Sequence, residues 1–553
     1  MGKMGPKPVV RKKRVVCSSS HASVTDTMLQ VMKDGGNAVD ATIAGSMIQA
    51  VVEPHMTNHT GSVSFLYWEA DSGRTYQLNG SGTLVPGLPP FRPVPGLPGS
   101  HLSGPGHNPC ACIPGFMPSM AALHERFSSK SWDYLCQPAI KAAKKGHIMS
   151  SFEYAALKAD LRLYTYFPSG RSLYTPNGFL PDVGEYFRNP DLAETLQRLA
   201  VEGPTYFTEG EWAKHFVAAA NNLGWPINLA QMTEIPPEWV DPLRYDHRGH
   251  EVIQYYPPQR TGVFTAIVLG ILKQFDLESL GHYTESAEAL YVMAHALRYA
   301  HWELGMLRDP AVFEVPIDRW LSPEFHAMIA DIIWNSRPKK DLREHVRIIA
   351  GDAGLAAGGI SPVATNAQNQ PSGSCELSVV DLEGNWAQSM NTGQAGGIPG
   401  VVVGGVPMIG SHAKTTMAAP MEGWFAGGGR MRSMIGSTIV MLDGQPWLGL
   451  GTPGYVYATI PQVLTSILDY GMDPYEASVM PRMFPLYDDY VLEIESRIPK
   501  KVSTDLARMG ILLRPLEPYN TSMGSFQINW RDLETGLLNS SADPRRMGTA
   551  AGF

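Results

Sequence analysis

A hydroxyl and a thiol stand side by side in Gly373-Ser374-Cys375-Glu376-Leu377-Ser378-Val379-Val380-Asp381. Upstream, residues 351–374 (GDAGLAAGGISPVATNAQNQPSGS) are small and polar, which predicts an exposed linker. Downstream, LSVVD predicts the start of a buried strand. That junction suits a nucleophile, because the strand fixes its position while the linker can move away. Taken alone, the segment fits equally an ordinary strand entry with Ser374 as a turn residue. Two other groupings could do chemistry. His55 and His59 have the spacing of a helical metal pair, but Glu53-Pro54 before them and Gly61 after them predict a loop, which argues against a metal. Cys110 and Cys112 form a C-x-C that lacks a second pair at zinc-finger spacing.

The elements that must position these residues follow from periodicity. Ser23, with Asp26 three residues on, is expected to cap a helix carrying Met28, Leu29, Val31 and Met32, stopped at Gly35-Gly36. A second helix is predicted from Ala38 to about Val52, ended by Pro54. Alternation over Ser62 to Trp68 predicts a strand. Leu84 to Pro109 is a long Pro/Gly insertion, read as a surface loop or lid. From Phe116 to about Ala350 helical patterns dominate, the longest running from Ala287 to Gly305. From Leu377 onward the chain is strand-rich: LSVVD, GNWAQSM, VVVGGV, STIVML and FQINW, with helices around Thr459–Leu468 and Ser503–Met509. A helical block followed by a strand-rich block, with more strands near the N-terminus, predicts an α+β fold with two sheets sandwiched between helices.

Composition narrows the partners. With 553 residues, 44% hydrophobic and 17% charged, the chain is a large globular protein. Its formal charge of −8 gives no chain-wide electrostatic reason to bind nucleic acid, so small molecules are the expected partners. Five cysteines are too few and odd in number for a disulfide framework. The longest apolar run, Val263 to Leu272, falls short of the roughly 20 residues that span a bilayer. Lys3, Lys7, Arg11, Lys12, Lys13 and Arg14 resemble the start of a signal peptide, but VVCSSSHASVTD is too polar to continue one. The expectation is a cytoplasmic protein, without membrane or nucleic-acid contacts, whose residues 1–14 form a basic, frayed tail.

Other segments then acquire meaning in order: Gly35-Gly36-Asn37-Ala38-Val39-Asp40-Ala41, Val51-Val52-Glu53-Pro54-His55, Cys136-Gln137-Pro138-Ala139, Ser378-Val379-Val380-Asp381 with Gly384-Asn385, Leu450-Gly451-Thr452-Pro453-Gly454, Leu468-Asp469-Tyr470-Gly471-Met472-Asp473, Pro481-Arg482 and Asp543-Pro544-Arg545-Arg546. From about residue 15 to residue 553 this set resembles the γ-glutamyltransferase family of N-terminal-nucleophile hydrolases. The resemblance implies an αββα sandwich made as one precursor and cut by its own nucleophile. The family's threonine at the start of the small subunit, four residues before the serine of the strand motif, corresponds to Ser374. Cleavage between Gly373 and Ser374 would leave a large subunit, 15–373 after the tail, and a small subunit, 374–553, of 180 residues (553 − 373). The new N-terminus supplies its own base, since an α-amine with a pKa of about 7.7–8.0 can take the hydroxyl proton. Neither a His-Asp pair nor a cofactor or metal is required. The family's oxyanion turn corresponds to Pro453-Gly454-Tyr455, where backbone N–H groups are the donors. Thr392, eighteen residues after Ser374, matches a second threonine that orients the nucleophile, and Glu376 replaces a histidine.

The resemblance places substrate-binding positions at Arg92, Glu376, Gln394, Ser433 and Met434. Here the chain departs from the family. No arginine occurs in the segment Asn79–Pro90 that should hold an α-carboxylate, so Arg92 is the nearest substitute. No acid occurs between Gly404 and Gly410, where an aspartate should hold an α-amine, and the paired serines fall on Ser433 and Met434. Charge-assisted hydrogen bonds contribute about 1.5–3 kcal/mol each, so a glutamyl head group loses much of its binding. The expected function is an autoprocessing amide hydrolase or acyltransferase that works through an acyl-Ser374 ester, resolved by water or an amine. The alternatives are true γ-glutamyl transfer with a rebuilt pocket and an unprocessed, inactive scaffold. Cys375 is the alternative nucleophile, but only a residue freed at the N-terminus carries the amine.

Overall fold

The computed structural model describes residues 4–86, 112–159, 161–304, 307–337, 373–393, 398, 400–408, 428–431, 435–485 and 491–553. The expected linker up to residue 372 and most of the 84–109 loop lie outside the described residues.

Two seven-stranded sheets form the centre. In the first, the strand Cys375–Val380 runs antiparallel between Val16–Ser19 and Trp386–Thr392. Thr549–Gly552 closes one edge, while Ser62–Glu69, Arg74–Gly80 and Glu238–Val240 extend the other. The second sheet orders Val10–Lys12, Leu538–Ala542, Gln527–Arg531, Gln445–Gly451, Ser437–Leu442, His250–Gln254 and Leu243–His247.

Apolar alternation explains why the sheets stack. Leu377 and Val379 project from one face of the strand Cys375–Val380 into a core shared with Ala44, Met47 and Ile48 of the helix Ala38–Val52. Val380, one residue on, joins Leu66, Trp386, Ile439 and Met441 in a layer contributed by both sheets. The outer face of the second sheet presents Val440, Leu448, Leu450 and Ile528 to Ile460, Val463 and Leu464 of the helix Val456–Leu468. Helices therefore cover both outer faces, and the architecture is the αββα sandwich.

Three expectations are corrected. The N-terminal tail is not wholly frayed. Val10–Lys12 pairs with Leu538–Ser540, and Gly5 N–H donates to Pro544 O at 2.8 Å. An edge strand needs only backbone partners, so Arg11 and Lys12 keep their charges in water and discourage further pairing. Within the supposedly helical middle, Leu243–His247 and His250–Gln254 form a hairpin of the second sheet. Its turn uses Arg248 at φ 54° and Gly249 at φ 81°. The first helix, Ala22–Lys33, is capped by His21, whose Nδ1 accepts from Ser23 N–H at 3.1 Å, rather than by Ser23.

Candidate active site

Motif residues lock the strand Cys375–Val380 into its surroundings. At its far end Asp381 accepts from Ala38 N–H at 2.8 Å, where the helix Ala38–Val52 begins, and from Asn385 N–H and Nδ2. A capping box between Asn37 and Asp40 secures the same helix end. Helix and strand are thereby held in one register.

At the near end, Ser374 is almost buried, with 7% exposure, and adopts φ 77°. The left-handed region costs a non-glycine residue about 1–3 kcal/mol, so the backbone is strained at the junction expected to break. The Gly373 carbonyl accepts from Gly454 N–H at 3.3 Å. A donor on this oxygen polarises the carbonyl and stabilises negative charge developing on it. Gly454 has φ 92°, and a Cβ there would approach Ser522 O to 2.7 Å, so the turn has room only for glycine.

The neighbouring Tyr455 behaves differently. Its N–H donates to Ser522 O at 3.0 Å, and its ring stacks on Phe484 at 3.7 Å between centroids. Of these two amides, Gly454 alone meets the Gly373 carbonyl in the described contacts. Thr392 is fully buried at the end of its strand, and the register pairing Cys375 with Asn391 brings it to the Ser374 end.

The two residues after Ser374 face opposite layers. Cys375 points to the helical side, beside Met56, Ala156 and Phe152. Burial pushes its thiol pKa well above the ordinary value, so it stays protonated and weakly nucleophilic. Glu376 points between the sheets, where both carboxyl oxygens accept from Ser437 Oγ at 2.7 and 2.9 Å. A Cβ on Gly451 would meet this carboxyl within 2.2 Å, just before the turn Pro453-Gly454-Tyr455. Burial raises the Glu376 pKa well above the carboxylate range. The carboxyl expected to meet substrate is thus fully buried against the start of the strand Ser437–Leu442.

Arg92, Gln394, Ser433 and Met434 lie outside the described residues. Val406 and Met408 pack into the core, and Thr83 bridges to Arg430. Arg430, not singled out by sequence, pairs with Glu238 at 3.0 Å and donates to Pro236 O at 2.7 Å.

The C-terminal motifs build a buried charge cluster. Arg482 bonds Asp543 and donates to Met523 O at 2.6 Å, while Arg545 pairs with Glu495 at 2.7 Å and Asp543 at 3.2 Å. This buried cluster holds residues 522–524 against the turn Pro453-Gly454-Tyr455, and Ser525 N–H donates to Thr452 Oγ1 at 2.7 Å. Arg546, 2% exposed, donates from Nη1 to Ser374 O at 3.4 Å. The signal was the arginine doublet beside Asp543, since buried cations demand partners.

The αββα sandwich is the fold of the N-terminal-nucleophile hydrolases. Residues 24–553 match the family described as Gamma-glutamyltranspeptidase, and the chain belongs to it. The family-level activity is hydrolysis or acyl transfer at amides. Among its relatives is the glutathione hydrolase-like YwrD proenzyme of Bacillus subtilis, 27% identical over 99% of this chain and 100% of that protein. The glutathione hydrolase proenzyme of Escherichia coli is 26% identical over 97% and 91%. Among solved structures, the cephalosporin acylase from Bacillus halodurans superposes with a TM-score of 0.82, at 22% identity, over 99% of this chain and 97% of that one. No helix among the described residues is long and apolar enough to cross a membrane.

Proposed function

We propose that the chain cuts itself between Gly373 and Ser374 and then cleaves a small amide through an acyl-Ser374 ester. The observation that carries this reading is the Gly454 N–H on the Gly373 carbonyl, which puts a donor on the first bond to be broken. Ser374 Oγ attacks that carbonyl, the Ser374 nitrogen leaves with a proton, and water hydrolyses the ester to free the Gly373 carboxylate and the Ser374 α-amine. In turnover the amine takes the Oγ proton as Oγ adds to the substrate amide and delivers it to the departing amine. Water or an amine acceptor then resolves the acyl ester. Thr392 orients the nucleophile, and Gly454 receives the oxyanion.

For the acyl group we infer a non-glutamyl substrate. Leu84, Val85, Val406 and Met408 are buried and apolar where a zwitterionic head would need counter-charges, and unpaired buried charges are costly. The likeness to a cephalosporin acylase supports this choice. A comparison of kcat/KM for γ-glutamyl-p-nitroanilide and a matched acyl anilide without α-amino and α-carboxylate groups tests it. The acyl anilide should be preferred. A tenfold preference for the glutamyl compound, about 1.4 kcal/mol, would overturn the inference and direct mutagenesis to Arg92 and Arg430.

A further inference from the structure

We propose that Arg546 keeps the freed Ser374 amine neutral and so ready to act as a base, because its buried guanidinium is hydrogen-bonded to the carbonyl of that same residue. The inference rests on Ser374 being the N-terminal nucleophile and adds a device that sets its working pH. An N-terminal amine is a base only while unprotonated, and an ordinary α-amine with a pKa of about 7.7–8.0 is mostly ammonium at neutral pH. Something must disfavour the ammonium if the enzyme is to work there.

Arg546 is placed to do so. Nη1 lies 3.4 Å from Ser374 O, and the amine nitrogen is two bonds from that carbonyl carbon. The guanidinium is further fixed by Thr521 O, at 3.4 Å from Nε and 3.2 Å from Nη2, and by the Phe152 ring beneath it, 5.0 Å from Cζ to centroid. It is 2% exposed, so water screens its charge poorly. Burial lowers its own pKa only to about 10, which leaves it charged at neutral pH. A fixed cation this close penalises a second cation on the amine, whereas the neutral amine meets no such penalty.

The other charges around Arg546 come from three elements. Glu53, after the helix Ala38–Val52, accepts from Ser20 Oγ at 2.6 Å and offsets part of the cation's field. Asp543 adds negative charge but is already engaged by Arg482 and Arg545. Cys375 is held as the neutral thiol. The nearby His55 is buried, and its pKa is pushed well below 6.5 by burial, with His147, Arg546 and His21 adding like charge, so it is neutral too. Arg546 is the cation that reaches Ser374 among the described hydrogen bonds.

The test is the acid limb of kcat/KM against pH, measured on processed enzyme whose small subunit is shown by mass to begin at Ser374. Wild-type enzyme should give an apparent pKa below the ordinary 7.7–8.0. Arg546→Gln should raise it by about one unit, Arg546→Lys should leave it near wild type, and Glu53→Gln should move it the opposite way. A generalised loss of fold would lower rates without these opposed shifts. If Arg546→Gln fails to process, the wild-type limb and Arg546→Lys decide alone. A processed, active wild type with a limb at or above 8, or an Arg546→Gln limb that does not move, overturns the inference and leaves the nucleophile intact. A small subunit that does not begin at Ser374 overturns the underlying reading instead.

Discussion

The two faces of the strand Cys375–Val380 surround a buried carboxyl differently. On the helical face, Glu53 lies in the same charged cluster as Arg546, next to Ser20 and Cys375. On the inter-sheet face, Glu376 meets a hydroxyl, Ser437, and burial raises the pKa of its carboxyl well above the carboxylate range. One face gathers Arg546 and Glu53 near the junction, while burial on the other disfavours charge. A reaction that must move a proton between a hydroxyl and an amine gains from that asymmetry, because the field at Ser374 comes from one side.

The largest expected effect removes the junction hydroxyl. Ser374→Ala should remain a single uncut chain and lose activity by at least about 10³-fold, whereas Cys375→Ala should still cut and turn over. Denaturing electrophoresis of the two variants side by side reads the difference. Cleavage lost in the cysteine variant alone would transfer the nucleophile to the other face.

Gly454→Ala is the next largest. The added methyl collides with Ser522 O and the Gly524 backbone and displaces the donor from the Gly373 carbonyl. Removal of one oxyanion donor typically lowers rates by about 10²–10³. The rate of self-cleavage in freshly folded protein is the readout, and an unchanged rate would detach Gly454 from the chemistry.

The smallest effect concerns the neutral face. Because the folded-state pKa of Glu376 is raised, the folded protein holds a proton that the unfolded chain releases above about 4.3. The stability linked to that proton is fully present below this value and is lost as pH rises toward the folded pKa. Glu376→Gln does not titrate, so its melting temperature should gain on wild type between pH 4 and pH 8, by on the order of 2 °C. A gap that stays constant with pH would mean that Glu376 carries its charge in the folded protein.

How far the sequence spoke depended on whether a signal was local. The helix Ala38–Val52 and the strand Ser437–Leu442 were legible because apolar spacing and a following breaker mark them within one segment. The hairpin Leu243–His247 and His250–Gln254 was missed because its short strands, rich in charged residues, lie amid strong helical patterns. The place of Ser374 at the entry to the strand Cys375–Val380 was legible from the run of small polar residues before it and the apolar run after it. The contact of Arg546 with Ser374 was not, since it joins positions 172 apart in the chain. The opposed fates of Cys375 and Glu376 follow from strand alternation, but the Ser437 hydroxyl that meets Glu376 comes from the other sheet.

The central claim is that the chain breaks itself at one bond and begins anew at Ser374. Intact mass and N-terminal sequencing of the purified, incubated protein test this most directly. The account predicts two polypeptides, the smaller of 180 residues (553 − 373) with serine first. A chain that stays whole, or one cut so that another residue leads the small fragment, would contradict it.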